Sequence, residues 1–147
     1  MPKLTFEGLD KYQAQLEKIM DKVPKMMNAS LYDGADVLAD AVQKEIDGLT
    51  ELEPVVRQGL HDGLGVARFW NENGMTVTKI GFDGYNKKIT KRWPKGQPNA
   101  MIARSTIRGT SWMRANRFTA RATKNARKQC IEAMASRFDS EVEKNTK

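Results

Sequence analysis

NRFTARATKNARKQCIEAMASRFDSEVE, residues 116–143, decides how the rest of the chain is read. Apolar or small residues fall at Phe118, Ala122, Ala126, Cys130, Met134, Phe138 and Val142, with no glycine or proline between them, so the spacing predicts one long helix from about Asn116 to Glu143. Every step is four residues whereas a helical turn takes 3.6, so the stripe rotates about 40° per step around the cylinder. The two ends of this helix therefore cannot bury against the same flat surface. The amino-terminal half is expected against a sheet, and the remainder against a different element or a neighbouring subunit.

The same stretch carries Arg117, Arg121, Lys124 and Lys128 at three- and four-residue spacing, and Arg114 lies one step before it, which makes one basic ridge on a helix. Extending outward, no Asp or Glu occurs between Asp83 and Glu132, and the 13 Lys and Arg there, among them Arg104 and Arg108, are unopposed. The chain has 147 residues and a formal charge of +7 from 25 basic and 18 acidic residues, so everything outside that stretch is net −6. One small chain thus has two electrostatic characters, which suits a polyanionic partner or contact between unlike surfaces of successive copies.

Towards the amino terminus, Leu4 and Phe6 alternate with polar neighbours and suggest a short opening strand. Leu9, Tyr12, Leu16, Ile19 and Val23 then mark a helix to about Lys22, which Pro24 is expected to break or restart. Met27, Leu31, Ala35, Leu38, Val42, Ile46 and Leu49 mark a second helix that Gly48 stops, with Asp33, Asp36, Asp40 and Glu45 on its other positions. Residues 50–65 mix acid, Pro54 and several glycines and read as a mobile loop without regular structure; residues 84–98, basic and containing Trp93-Pro94, read as a second one. Between them Asn73-Gly74 signals a hairpin joining Val66–Trp70 to Met75–Phe82. Asn99 to Thr106 is compatible with a short helix or a strand, ended by Gly109-Thr110-Ser111. The expected fold is a single α+β domain over residues 1–147: a small antiparallel sheet, two amino-terminal helices and a long carboxy-terminal helix.

Several chemistries find no support. Cys130 stands alone and His61 is the one histidine, so neither a disulfide framework nor a Cys/His zinc cluster can be assembled, and the helical position of Cys130 fits a small buried residue. No Gly-x-x-x-x-Gly-Lys-Ser/Thr loop and no nucleophile elbow occur, and His61-Asp62 are sequence neighbours whose side chains diverge. Neither catalysis, a cofactor nor a metal is expected. No apolar run reaches the about 18 residues that a membrane span needs, which leads us to expect a soluble protein without a membrane partner.

The order of parts resembles the small neck or tail-completion proteins of long-tailed DNA bacteriophages and their prophages. The resemblance runs over nearly the whole chain and rests on short motifs: Gly59 and Leu60 in the middle loop, then Gly109-Thr110-Ser111 followed by Ala115, Phe118 and Ala122. The family's middle loop usually carries Thr-Gly-x-Leu, whereas this chain has Gln58-Gly59-Leu60-His61; its later motif tends to read Ala-x-Pro-Phe, whereas this chain has Ala115-Asn116-Arg117-Phe118. The resemblance implies a structural virion protein in the neck or tail, assembled in the host cytoplasm. It would form a ring, a hexamer or dodecamer, that meets other neck, connector or tail proteins around the genome channel. Arg104, Arg108, Arg114, Arg117, Arg121, Lys124 and Lys128 would then serve subunit contacts or touch genomic DNA without sequence preference. The competing expectation is a DNA-binding helix-turn-helix built from Asn99–Arg108 and the helix after Asn116, with Arg117 and Arg121 presented to the duplex.

Overall fold

A computed structural model describes residues 9–146, so the expected opening strand at Leu4 to Phe6 lies outside the described residues. The chain is α+β, with two long helices packed on each other and a small set of antiparallel strands at one end. The first helix, α1, runs Leu9–Asp47 without interruption, about 58 Å at 1.5 Å per residue. The two amino-terminal helices expected from the sequence are therefore one. Proline removes one hydrogen bond and crowds the preceding turn, but Pro24 is exposed, so its ring meets water, and the regular turns on either side carry the helix across it.

Residues 50–65 also depart from expectation, since most of them form a second helix, α2, Pro54–Gly63. Pro54 stands at its first turn, where a missing N–H costs nothing because no carbonyl waits for it. Gly59 within it is buried, and a side chain there would run into Asn86. What reads in sequence as glycine-loosened loop is a helix thinned where another segment lies against it. Strand β1, Leu64–Val66, follows directly, then β2, Trp70–Glu72, β3, Met75–Val77, and β4, Ile80–Phe82.

The expected hairpin is present in two pieces. β2 pairs with β3 across Asn73-Gly74, both at positive φ (52° and 80°), the two-residue turn whose twist suits antiparallel strands. β1 pairs with β4 further out, Val66 opposite Ile80. Between the two pieces Ala67, Arg68 and Phe69 oppose only Thr78 and Lys79, a bulge of one residue that bends the ribbon. The bend sets the ring of Phe69 edge-on to Tyr32 of α1, with centroids 4.2 Å apart.

Helix α3 covers Asn99–Arg108 and α4 Phe118–Thr146, so the undecided segment after Pro98 is helical and the long helix falls where its spacing places it. Val42, Ile46 and Leu49 of α1, Val56 and Leu60 of α2, Ile102 and Ala103 of α3, and Phe118 and Ala122 of α4 form the core. Phe118, on the first turn of α4, also meets Phe82 of β4, with centroids 6.1 Å apart. Beyond that turn α4 runs antiparallel along α1, from Arg121 beside Glu45 to Asn145 beside Lys22, so both halves meet the same helix and the expected packing of the amino-terminal half on a sheet is confined to Phe118. Phe118, Ala122 and Ala126 are buried, while Cys130, Met134, Phe138 and Val142 are half-buried, as a line rotating out of the seam requires. Gly34 lets α1 and α4 approach closely, because a Cβ there would press on Met134 at 2.6 Å.

Residues 84–98 have no helix or strand, yet they are held at both ends. Tyr85 bridges Pro98, and Asn86 is buried with its amide donating to the Val56 carbonyl (3.1 Å) and to Asn99 Oδ1 (3.2 Å) while its oxygen accepts from the Lys88 N–H (3.1 Å). Gly96 sits at φ 94° with its Cα against the Asn86 backbone, a position with no room for a side chain.

Candidate subunit interface

The basic residues singled out by sequence lie on α3, on the turn that follows it and on the first half of α4. Gly109, at φ 80°, ends α3; its N–H donates to the Ser105 carbonyl, the Thr110 N–H to the Met113 carbonyl, and the Asn116 N–H to the Thr106 carbonyl. These bonds fix the turn from Gly109 to Arg117 and leave Thr110, Ser111, Trp112, Arg114, Ala115 and Arg117 exposed. Trp112, at 88% exposure, is the most exposed large apolar residue described, and Arg108 and Arg114 flank it along the turn.

Among the described residues Arg104, Arg108, Arg114, Arg117 and Lys124 have no carboxylate within ion-pair distance, and all five are exposed. Arg121 differs. Its guanidinium binds Glu45 at 2.9 Å and the Asn116 side-chain oxygen at 2.8 Å, while Asn116 in turn donates to Glu51 at 2.7 Å. It fastens α4 to the end of α1, so part of the expected ridge does internal work. Lys128 reaches Glu132 one turn later at 4.0 Å, a weak surface pair.

The acidic side of α1 is divided in the same way. Glu45 serves Arg121 and Asp33 faces Arg137 at 4.0 Å, whereas Asp36 and Asp40 are exposed and make no ion pair among the described residues, although Lys44 stands one turn after Asp40. Exposed Arg and Lys on α3, the turn and the first half of α4, and exposed Asp on α1, are thus left without an ion pair within the described residues and are available to a partner.

The short motif residues have structural places. Gly59 and Leu60 are buried in α2, Phe118 and Ala122 are buried at the start of α4, and Gly109, Thr110, Ser111 and Ala115 shape the turn. No group of three or more His, Cys, Asp or Glu side chains gathers among the described residues in a way that could hold a metal ion. His61 pairs with Asp47 at 2.9 Å rather than with its neighbour Asp62. Cys130 donates to the Gly34 carbonyl at 3.3 Å, and burial pushes its thiol up from the ordinary range, away from the thiolate a nucleophile needs.

One cavity, of about 460 Å³, opens between α2, α3 and the turn, lined among others by Val56, Asn86, Ile102, Thr106 and Trp112. Its two carboxylates are already engaged, Glu53 with Lys88 and Glu51 with Asn116. No described helix is long and apolar enough to cross a membrane. Comparison of the chain with known protein families, with curated proteins and with solved structures finds no match.

Sequence reasoning found the basic residues but could not sort them. The Arg121–Glu45 pair spans 76 residues of chain, and nothing local distinguishes Arg121 from Arg117.

Proposed function

We propose that the chain is a structural virion protein of a long-tailed bacteriophage or prophage, one copy of an oligomeric ring at the head-to-tail junction that works by protein contacts around the genome channel. The observation that supports this reading is the set of unlike exposed charges that make no ion pair among the described residues: Arg104, Arg108, Arg114, Arg117 and Lys124 of α3, the turn and α4, and Asp36 and Asp40 of α1. Complementary patches at different places on one molecule make head-to-tail contacts, which close into a ring when the rotation between copies permits. The contact also orients copies before they touch, because opposite surface potentials steer encounter. Other neck, connector or tail proteins would stack on the ring's open faces.

The test is Arg114→Glu combined with Arg117→Glu. Both side chains are exposed and unpaired, so the far-UV circular dichroism stays unchanged while assembly is lost. Assembly that survives the double reversal overturns the reading.

One observation favours a second function. Trp112 stands out from a turn flanked by arginines, an arrangement that can stack a base and neutralise phosphates. The turn from Gly109 to Arg117 is longer than the three- or four-residue link of a helix-turn-helix, so binding of this kind would be independent of sequence. A gel-shift series across salt separates the two: tight binding to single-stranded DNA of any sequence that persists at moderate salt and is lost in Trp112→Ala would replace the structural reading.

A further inference from the structure

Strand β4 has an unpaired edge. In an antiparallel pair, residues that exchange hydrogen bonds with the partner strand alternate with residues whose N–H and C=O turn away from it. The Ala67 N–H donates to the Lys79 carbonyl and the Asp83 N–H to the Gly63 carbonyl, so Lys79, Gly81 and Asp83 bond towards β1, and the backbone groups of Ile80 and Phe82 point out from the other edge. Among the described residues nothing pairs with them. A groove of about 420 Å³ separates this edge from α3, with Ala103 buried and Ile107 half-buried along it. Two N–H and two C=O groups in line beside an apolar floor are the complement of one added strand.

We propose that residues 3–7 of a second copy fill the groove as a strand antiparallel to β4, with Leu4 opposite Phe82, Thr5 opposite Gly81 and Phe6 opposite Ile80. The same chain cannot supply them. Phe82 packs against the core that holds Val42 of α1, about 50 Å along that helix from Leu9, whereas the four residues from Leu9 back to Thr5 span at most about 14 Å. The alternation of the segment matches the edge it meets. Leu4 and Phe6 fall on the half-buried face of Ile80 and Phe82, and Lys3, Thr5 and Glu7 on the exposed face of Lys79, Gly81 and Asp83.

The charges select the direction. In the antiparallel register Lys3 stands opposite Asp83 and Glu7 opposite Lys79, two attractive pairs. In the parallel register that keeps the same faces, Lys3 meets Lys79 and Glu7 meets Asp83, two repulsive ones. Gly81 lies opposite Gly65 of β1, and a Cβ at either position meets no atom within 4 Å, so the exposed face has room for Thr5. The contact uses neither Arg114 nor Arg117 and does not rest on the ring.

Disulfide cross-linking of full chains in a Cys130→Ser background tests the proposal, with circular dichroism establishing that every variant is folded. A mixture of Thr5→Cys and Gly81→Cys chains is expected to give the mixed covalent dimer, and neither chain alone to link at the same concentration. Positions 5 and 81 form a non-hydrogen-bonded pair, whose Cα separation of about 4.5 Å suits a disulfide. Glu7→Cys with Lys79→Cys links as well, whereas Lys3→Cys with Lys79→Cys, about 13 Å apart in the antiparallel register, does not. Adding Glu7→Lys to the Thr5→Cys chain reduces linking about two- to fivefold, and adding Lys79→Glu to the Gly81→Cys chain restores it. No mixed dimer, linking of Lys3→Cys with Lys79→Cys as readily as of Glu7→Cys, or no restoration by Lys79→Glu overturns the exchange.

Discussion

Replacing Asn86 by alanine removes a side chain that is 2% exposed and makes three hydrogen bonds, to the Val56 carbonyl, to Asn99 Oδ1 and from the Lys88 N–H. The Asn99 oxygen loses its buried partner, and a buried polar group left unsatisfied costs about 1–3 kcal/mol; the Val56 carbonyl lies within α2 and keeps its helical bond. The Lys88 N–H is only partly buried, so water can replace the lost acceptor at little cost. The sum is about 2 kcal/mol, a large share of the roughly 5–15 kcal/mol typical of a domain. With a urea slope of about 1.5–2 kcal/mol/M for a chain of this size, the midpoint falls by about 1 M. Asn86→Asp is expected to be worse, because a carboxylate would face the Val56 carbonyl and the Asn99 oxygen with no proton to give. Urea unfolding followed by tryptophan fluorescence and by circular dichroism measures both, with coincident curves required for two-state treatment. A midpoint shift under about 0.3 M for Asn86→Ala, the effect of an ordinary exposed substitution, would refute the claim that this residue pins residues 84–98 to the body.

Further expectations follow from individual positions. Gly96→Ala meets both a positive φ and the Asn86 backbone, so it should cost about 2 kcal/mol or more in the same unfolding assay, and a neutral result would contradict the packing described. Pro24→Ala restores an N–H in an exposed stretch of α1 and should raise the thermal midpoint by the equivalent of about 1–3 kcal/mol; a lower midpoint would mean that the proline serves a bend. Cys130, with its thiol pushed up by burial, should react with iodoacetamide at pH 8 at least about tenfold more slowly than an exposed cysteine, and reaction at the free-thiol rate would contradict its place beside Gly34.

The parts of the fold that sequence made legible are those fixed by periodicity or by backbone chemistry over a few residues. The stripe from Phe118 to Val142 located α4 but not its partner, since α1 receives both halves; Asn73-Gly74 located the hairpin turn; Gly109 marked the end of α3. What stayed hidden depends on partners distant in the chain. Pro54, Gly59 and Gly63 read as breakers, yet Pro54 opens a helix and Gly59 yields room to Asn86, which comes 27 residues later. Pro24 has the chemistry of a break, but at an exposed position the flanking turns outweigh one lost bond. The amphipathic row from Tyr12 to Val23 showed that a face exists and gave no sign that α4 stops short of covering it.

The candidate interface was legible to the same depth. Absence of acid between Asp83 and Glu132 identified the basic region, because charge is additive along a chain and needs no geometry to count. Which cations are unsatisfied is a property of folded space: Arg121 is consumed by Glu45 and Asn116, while Arg114 and Arg117 remain open to a partner. Trp112 carried no signal in sequence, since a tryptophan between a serine and a methionine is as compatible with a core as with the 88% exposure it has on the turn.

The mass of the assembled protein tests the central claim most directly. On the proposed reading, light scattering of the purified full chain, with negative-stain imaging of each peak, gives a defined multiple of 16.6 kDa and closed rings. Arg114→Glu with Arg117→Glu should abolish both without changing the circular dichroism. A monomer mass at every concentration would contradict the ring.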